Sequence, residues 1–395
     1  MKLWEKGTAL NEAIESFTVG NDHLLDQAVL EYDCQASIAH ARMLGKMAVL
    51  TPDEVHALCD ELQRIVVLDG KGKFVIRREQ EDCHTAIENH LTEKLGAIAE
   101  KIHTARSRND QVLTALRLYY KDRIADCREA VNSFVEALKL FGQKHGDIIF
   151  PGYSHTRKAM PTTFEIWSGA FVDSMHDNLT LLATVLKLLD QCPLGTAAGY
   201  GVPMKLHREF TANELGFSRV QNNPIYAQHS RGKFEATLLH ALSQITLDLN
   251  RVASDLIFMS LPELAFVTLP EEICTGSSIM PHKQNPDVLE LVRAKHHEVV
   301  ACEHQIQATV ANLISGYHRD FQLSKGPAMR GIEVTLTCLN IMALVVTKLG
   351  VNKQACKMAL TDEVYATEQV YELVRKGVPF RQAYKQVADK LRRRG

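Results

Sequence analysis

The sequence predicts an all-α protein built around a bundle of long helices. Three observations carry this. The 12 prolines leave wide gaps, from Pro52 to Pro151, Pro224 to Pro262, Pro286 to Pro327 and Pro327 to Pro379. Proline removes an amide donor and clashes with the preceding turn, so helix interiors can run through these gaps. Apolar residues recur inside them at helical spacing. Alternating strand-like runs are scarce, since Phe74-Val75-Ile76 is short and lies beside the turn Gly70-Lys71-Gly72-Lys73.

In chain order, the first stripe runs Leu113, Leu116, Tyr120, Ile124, Cys127, Val131, Phe134, Leu138 and Phe141. The next runs Leu238, Leu242, Ile245, Leu249, Val252, Leu256 and Met259, alternating steps of four and three like a coiled-coil seam. A third runs Val288, Val292, Val299, Cys302, Ile306, Val310 and Leu313, interrupted by Lys295. Pro286 fits the first turn of that helix, with Asn285 as its cap. Helices this long with apolar seams pack along one another in bundles, and several seams on one chain suit an oligomer. Gly/Pro-rich interruptions separate the helices at Phe150–Tyr153, Pro193–Gly201 and Thr275–Ser278, and the small polar residues that chemistry uses collect there.

A chain of 395 residues with 46% hydrophobic and 23% charged residues has ample material for a core. Forty-five basic residues against 47 acidic ones give a formal charge of −2, with no footprint for nucleic acid or an anionic membrane. No uninterrupted apolar run nears the length of a membrane span. Met1 to Lys6 has no apolar stretch behind its basic residues, so no secretory leader is expected. Nine scattered cysteines without a Cys-x-x-Cys pair disfavour a disulfide framework and a zinc site, and fit a reducing cytoplasm.

Four polar clusters stand out. His103 to Gln111 places Arg106, Ser107, Arg108 and Asn109 just before a helix start, where amides and arginines suit a carboxylate. It also reads as a solvated capping segment. Pro151 to Arg157 holds Ser154 and His155 in a turn, where a lone histidine is commonly structural. Thr275 to Asp287 combines Ser277, Ser278, His282, Lys283 and Asn285, a mobile loop able to close over an anion, or a linker ending in a capped helix. Tyr317 to Lys325 reads alone as a polar connection. Glu81-Asp82-Cys83-His84 offers metal-ligand types, but no partner group has metal-like spacing.

Together these clusters resemble the fumarase/aspartase superfamily. Gly276-Ser277-Ser278-Ile279-Met280-Pro281-His282-Lys283-Gln284-Asn285-Pro286 is similar to its Gly-Ser-Ser-x-Met-Pro-x-Lys-x-Asn-Pro loop. Thr104 to Gln111, Glu81 to Glu88, Pro193-Leu194-Gly195 and Arg375 to Arg381 look like its argininosuccinate lyase branch. The resemblance implies a three-domain, all-α, fumarase/aspartase-like fold. Its domains are an N-terminal helical one at 1–106, the central long-helix bundle at 107–350 and a short C-terminal helical one at 351–395. It implies a homotetramer with shared active sites, a small-molecule substrate, no nucleic-acid or membrane partner, and no metal or organic cofactor.

The implied activity is a carbon–nitrogen lyase reaction of arginine biosynthesis, the reversible β-elimination of argininosuccinate to arginine and fumarate. The family pattern makes Ser277 the general base, aided by Lys283. His155 is backed by Glu290, and Asn285 holds the reacting carboxylate. Ser107, Arg108, Asn109 and Ser154 grip the fumarate-side carboxylates. Tyr317, Gln322 and Lys325 hold the arginine-side carboxylate and amine, with His84 nearby. Departures are His282 where glutamine is usual, Ser154 for threonine, Arg319 for lysine, and the segment Asn222 to Glu235. Cleavage of adenylosuccinate or of an acylated argininosuccinate stays open, as does a non-catalytic structural relative.

Overall fold

The computed structural model of the chain describes residues 11–393, so the leader expectation on Met1–Lys6 lies outside the described residues. Helices dominate. The first six are α1 (Glu12–Val19), α2 (Asp22–Asp26), α3 (Leu30–Lys46), α4 (Pro52–Asp69), α5 (Cys83–Leu95) and α6 (Ala97–Glu100). They are followed by α7 (Arg108–His145), α8 (Phe164–Leu189), α9 (Arg208–Glu214), α10 (Pro224–His229) and α11 (Lys233–Met259). The last are α12 (Asp287–Val310), α13 (Lys325–Lys348), α14 (Lys353–Met358), α15 (Ala366–Arg375) and α16 (Phe380–Arg392). α7, α11 and α8 have 38, 27 and 26 residues.

The seams explain these lengths. Every residue of the first two stripes is buried, from Leu113 to Phe141 on α7 and from Leu238 to Met259 on α11. The third is trimmed. Val292, Val299, Cys302 and Ile306 are buried, but Leu289 replaces Val288 on the inner face and Leu313 lies past the helix end. The cap also differs. Asn285 is in a strand, and Pro286 supplies the carbonyl that accepts the Leu289 and Glu290 amides, so it occupies the capping place. Other starts are written locally. At α4, Thr51 Oγ1 accepts the Glu54 amide at 3.3 Å and Glu54 accepts the Thr51 amide at 2.9 Å, a capping box followed by Pro52.

Beside the helices, the described residues form three small two-stranded antiparallel sheets. They are β1 (Ile149–Ser154) with β2 (Arg157–Thr163), β3 (Val267–Thr268) with β6 (Gly350–Val351), and β4 (Thr275–Gly276) with β5 (Gln284–Asn285). The stretch Arg319–Lys348 is also long and apolar enough by composition to cross a membrane, a feature hidden from a search for unbroken apolar runs. Ala328, Ile332, Leu339, Met342 and Val346 bury its apolar side in the protein core.

The chain divides into two compact units. Among the described residues, one comprises 11–127, 181–242 and 300–333, the other 128–180, 243–299 and 334–393. In the first, α3 packs on α4, α5 and α9, and a core of Tyr32, Ala115, Leu118, Cys192, Leu194, Ala212 and Phe217 forms beneath them. In the second, α15 packs on α16 through Val370, Ala383 and Val387, and the β1–β2 hairpin packs beside α14.

Candidate active site

The first unit holds a cavity of about 300 Å³ lined largely by polar side chains. Its floor is the start of α7. Two hydrogen bonds cap it: Asp110 Oδ1 accepts the Ser107 amide at 2.8 Å, and Ser107 Oγ accepts the Asn109 amide at 3.3 Å. Asp110 is fully buried, and its second oxygen accepts the Gly195 and Ala197 amides at 2.9 and 2.8 Å. One carboxylate thus fixes both the helix start and the Pro193–Gly201 loop. Burial raises the Asp110 carboxyl, and these amides oppose the rise. The helix start in turn presents Ser107, Arg108 and Asn109 to the cavity.

Most charges in the cavity are matched. Arg108 forms an ion pair with Asp82 and another with Glu81 at 3.2 Å. Asp82 also caps α5 by accepting the Thr85 amide at 2.9 Å. Burial alone would raise the Asp82 carboxyl, but His84 and Arg108 hold it below its ordinary value. Lys325, 1% exposed, is gripped by Asp26 and by Asp22 at 3.1 Å. Burial pulls the Lys325 ammonium down, yet the two carboxylates outweigh it and raise it. His84 is buried with Nδ1 3.0 Å from Asp33 Oδ2, while Nε2 has no partner. Burial lowers the imidazole, Asp33, Asp82 and Asp26 together outweigh it, and the net direction is upward. Gln322 donates to the carbonyls of Thr18 and Val19 at 3.1 and 3.3 Å.

The second unit carries the exposed reactive loops. Phe150 stacks on Phe164 at 4.4 Å, and Tyr153 meets Phe258 edge-on at 5.0 Å, which anchors β1. The hairpin tip is a two-residue turn, His155-Thr156, with φ of 52° and 57°. Positive φ at both positions suits glycine or asparagine, so a β-branched Thr156 there is strained. Ser154 and His155 are exposed on this tip. The β4–β5 ladder closes the other loop by pairing Thr275 with Asn285 and Gly276 with Gln284. Inside it Ser277 Oγ accepts the amides of Ile279 at 3.4 Å and Met280 at 3.1 Å. Asn285 Nδ2 donates to the Gly276 carbonyl at 3.4 Å, and Lys283 is exposed. Glu290 is also exposed, and within the chain it makes no ion pair with His155.

Residues 10–301 match a protein family described as Lyase. An argininosuccinate lyase of Thermotoga neapolitana is 55% identical over 98% of this chain and 98% of its own length. One from Sorangium cellulosum is 41% identical over 99% of this chain and 91% of its own length. The chain belongs to the argininosuccinate lyase family. Among solved structures, an EDDS lyase in complex with formate matches with a TM-score of 0.82 and 26% identity, over 96% of this chain and 76% of that one. A class II fumarase from Schistosoma mansoni, 14% identical with a TM-score of 0.80 over 95% of this chain and 91% of that one, shares the fold. The all-α, fumarase-like expectation therefore holds.

For an argininosuccinate lyase family member, the expected site residues fall into two groups. The cavity gathers His84, Ser107, Arg108, Asn109, Tyr317, Gln322 and Lys325. Ser154, His155, Ser277, Lys283, Asn285 and Glu290 do not line it. Asp22, Asp26, Asp33 and Arg231 escape the sequence reading. The three acids recur at i, i+4 and i+11, a spacing that could have marked them although Asp22 and Asp26 lie on α2 and Asp33 on α3. Asp26, Cys83 and His84 bring ligand atoms within 4.8 Å of one another, but Asp26 is already bound to the Lys325 ammonium.

Proposed function

We propose that this chain cleaves argininosuccinate to arginine and fumarate by β-elimination. The observation that carries this reading is the cavity that gathers seven of the expected substrate-binding side chains, in a chain 55% identical to an argininosuccinate lyase. Ser277 acts as the base. A free hydroxyl is a poor one, but the amides of Ile279 and Met280 donate to its oxygen and favour the ionised form. Ionised Ser277 takes the proton from the carbon beside a carboxylate. The electrons form the C=C bond of fumarate as the C–N bond breaks, and the departing nitrogen keeps its pair as arginine. Lys283 and Asn285 stabilise the doubly negative carboxylate of the intermediate. His155, backed by Glu290, orients the reacting groups, with Ser154 beside it. Ser107, Arg108 and Asn109 hold the fumarate side. Arg108 is partly committed to Asp82 and Glu81, so Ser107 and Asn109 contribute most through neutral hydrogen bonds.

The enzyme works as a homotetramer that completes each site with loops from neighbouring copies. Exposed Ile166, Leu291, Val300 and Leu344 on the long helices support this, as does the split of the site residues into two groups. Nine free cysteines fit the cytoplasm, and the chain is organised as an N-terminal domain at 1–106, a central bundle at 107–350 and a short C-terminal domain at 351–395. Two tests follow. Purified protein given argininosuccinate should release fumarate, followed by its ultraviolet absorbance, and turnover of adenylosuccinate instead overturns the substrate. Hybrids reassembled from inactive Ser277→Ala and His155→Asn subunits should regain part of the activity if the two residues of one site come from different chains. Verified hybrids without activity put both on one chain.

A further inference from the structure

The second unit ends in a helical hairpin whose charge and groove are both unmatched. From Ala366 to Arg393, α15, α16 and their connection carry seven basic and three acidic residues, on a chain whose formal charge is −2. Arg381, Lys385 and Arg392 recur at i, i+4 and i+11, so they share one face of α16, and all three are exposed. Arg392 meets Asp389 only at 3.8 Å, and Arg381 and Lys385 form no ion pair among the described residues. A groove of about 230 Å³ opens between the two helices. Val370, Val387 and Leu391 lie along it with Phe380 and Tyr384, which stay 44% and 54% exposed. Each of the three cations directly follows a groove residue of α16, so together they flank the groove on one side.

Two helices alone do not enclose a core. The seam between α15 and α16 buries Val370, Ala383 and Val387, and the groove beside it has the place that a third helix takes in a bundle. The shape and charge say what kind of third element fits. A lipid surface takes a convex apolar face, but Ala383 and Val387 of α16 are spent against α15, and what stays open is concave. Nucleic acid would set phosphates over an apolar floor. A second copy of the hairpin would bring the same excess of cations. A helix with apolar residues at i, i+3 or i+4 and i+7, flanked by carboxylates, fills the groove and meets Arg381, Lys385 and Arg392. We propose that the α15–α16 hairpin is a docking surface for an acidic amphipathic helix of another protein. The surface uses none of the residues assigned to the reaction, so it stands independently of that reaction.

The test is fluorescence anisotropy of the full-length protein with a labelled designed helix that carries leucines at i, i+3, i+4 and i+7 and glutamates elsewhere. The control is the same helix with glutamines for the glutamates. Wild type at low salt should bind the glutamate helix at least about tenfold more tightly, and added salt should narrow the gap. Arg381→Glu with Lys385→Glu should erase that preference, whereas Arg381→Lys with Lys385→Arg should keep it. Ala388→Phe, which fills the groove, should weaken both helices. Melting temperatures check that each variant is folded, and if Ala388→Phe is not, Tyr384→Ala at an exposed groove position takes its place. Equal binding of the two helices by wild type, binding of neither, a preference that survives charge reversal, or indifference to the groove variant each overturns the proposal. So does tighter binding of phosphatidylserine vesicles or of a thymidine oligonucleotide that the same charge reversal removes, since either result reassigns the surface to a membrane or to nucleic acid.

Discussion

The cavity of the first unit and the loops of the second solve opposite problems. The cavity is built from buried charges that hold one another, as in Lys325 between Asp22 and Asp26 or Arg108 between Asp82 and Glu81. The loops at His155 and Ser277 are exposed or half-buried and are held by backbone: a two-residue hairpin turn and a two-rung ladder. Binding needs charges fixed in advance, because reorganising them on ligand arrival would consume the interaction energy. Proton transfer needs groups that arrive with closure and exclude water. Side chains that stabilise the fold should therefore cluster in the first region, and side chains that change rate without changing stability should cluster in the second.

Lys325→Met should break this contrast most severely if it is wrong. It strands two carboxylates, so loss of about 3–5 kcal/mol of stability is expected, measured by chemical denaturation. A variant as stable as wild type would mean the cavity charges are not mutually supporting. Ser277→Ala sharpens the other side. Turnover should fall at least ~100-fold with the melting temperature unchanged, since only a base and its alignment are lost. Near-normal turnover would remove Ser277 from the role.

His155→Asn separates fold from chemistry within one residue. Asparagine tolerates positive φ better than most residues, so stability should hold or rise slightly while the rate falls by roughly 100-fold. Glu290→Gln should slow the enzyme less, and the reverse order would reassign the two. The smallest effect is in pH. The His84 imidazole is raised when folded, so its contribution to stability is complete below the unfolded value of about 6.5. That contribution is lost as pH rises through the folded value. Stability against denaturant should decline on that alkaline side, and Asp33→Asn should flatten the decline. An unchanged slope would detach the dyad from stability.

The same contrast explains what could be read in the chain. The seams on α7 and α11 were legible in full because burial along a helix leaves a period in the sequence. The Ser277 loop was legible as a motif. The β1–β2 hairpin was not, since its tip is His155-Thr156 where a glycine or asparagine signal is normal. Arg231 was invisible for a different reason. It reaches the cavity only because the fold sets the turn between α10 and α11 against Tyr317 and Phe321, and a contact across space has no local signature. Asp22, Asp26 and Asp33 fall between, with a spacing that means little until Lys325 is known to lie against the first two and His84 against the third.

The shared acceptor at Asp110 has a consequence for hydrogen exchange. The amides of Ser107, Gly195 and Ala197 all end on one buried carboxylate. None can be released by local fraying unless that side chain lets go, and when it does all three lose their acceptor together. Residues nearly ninety positions apart should therefore exchange with deuterium at a common opening free energy, as one cooperative unit, with Asp110→Asn lowering protection at both places at once.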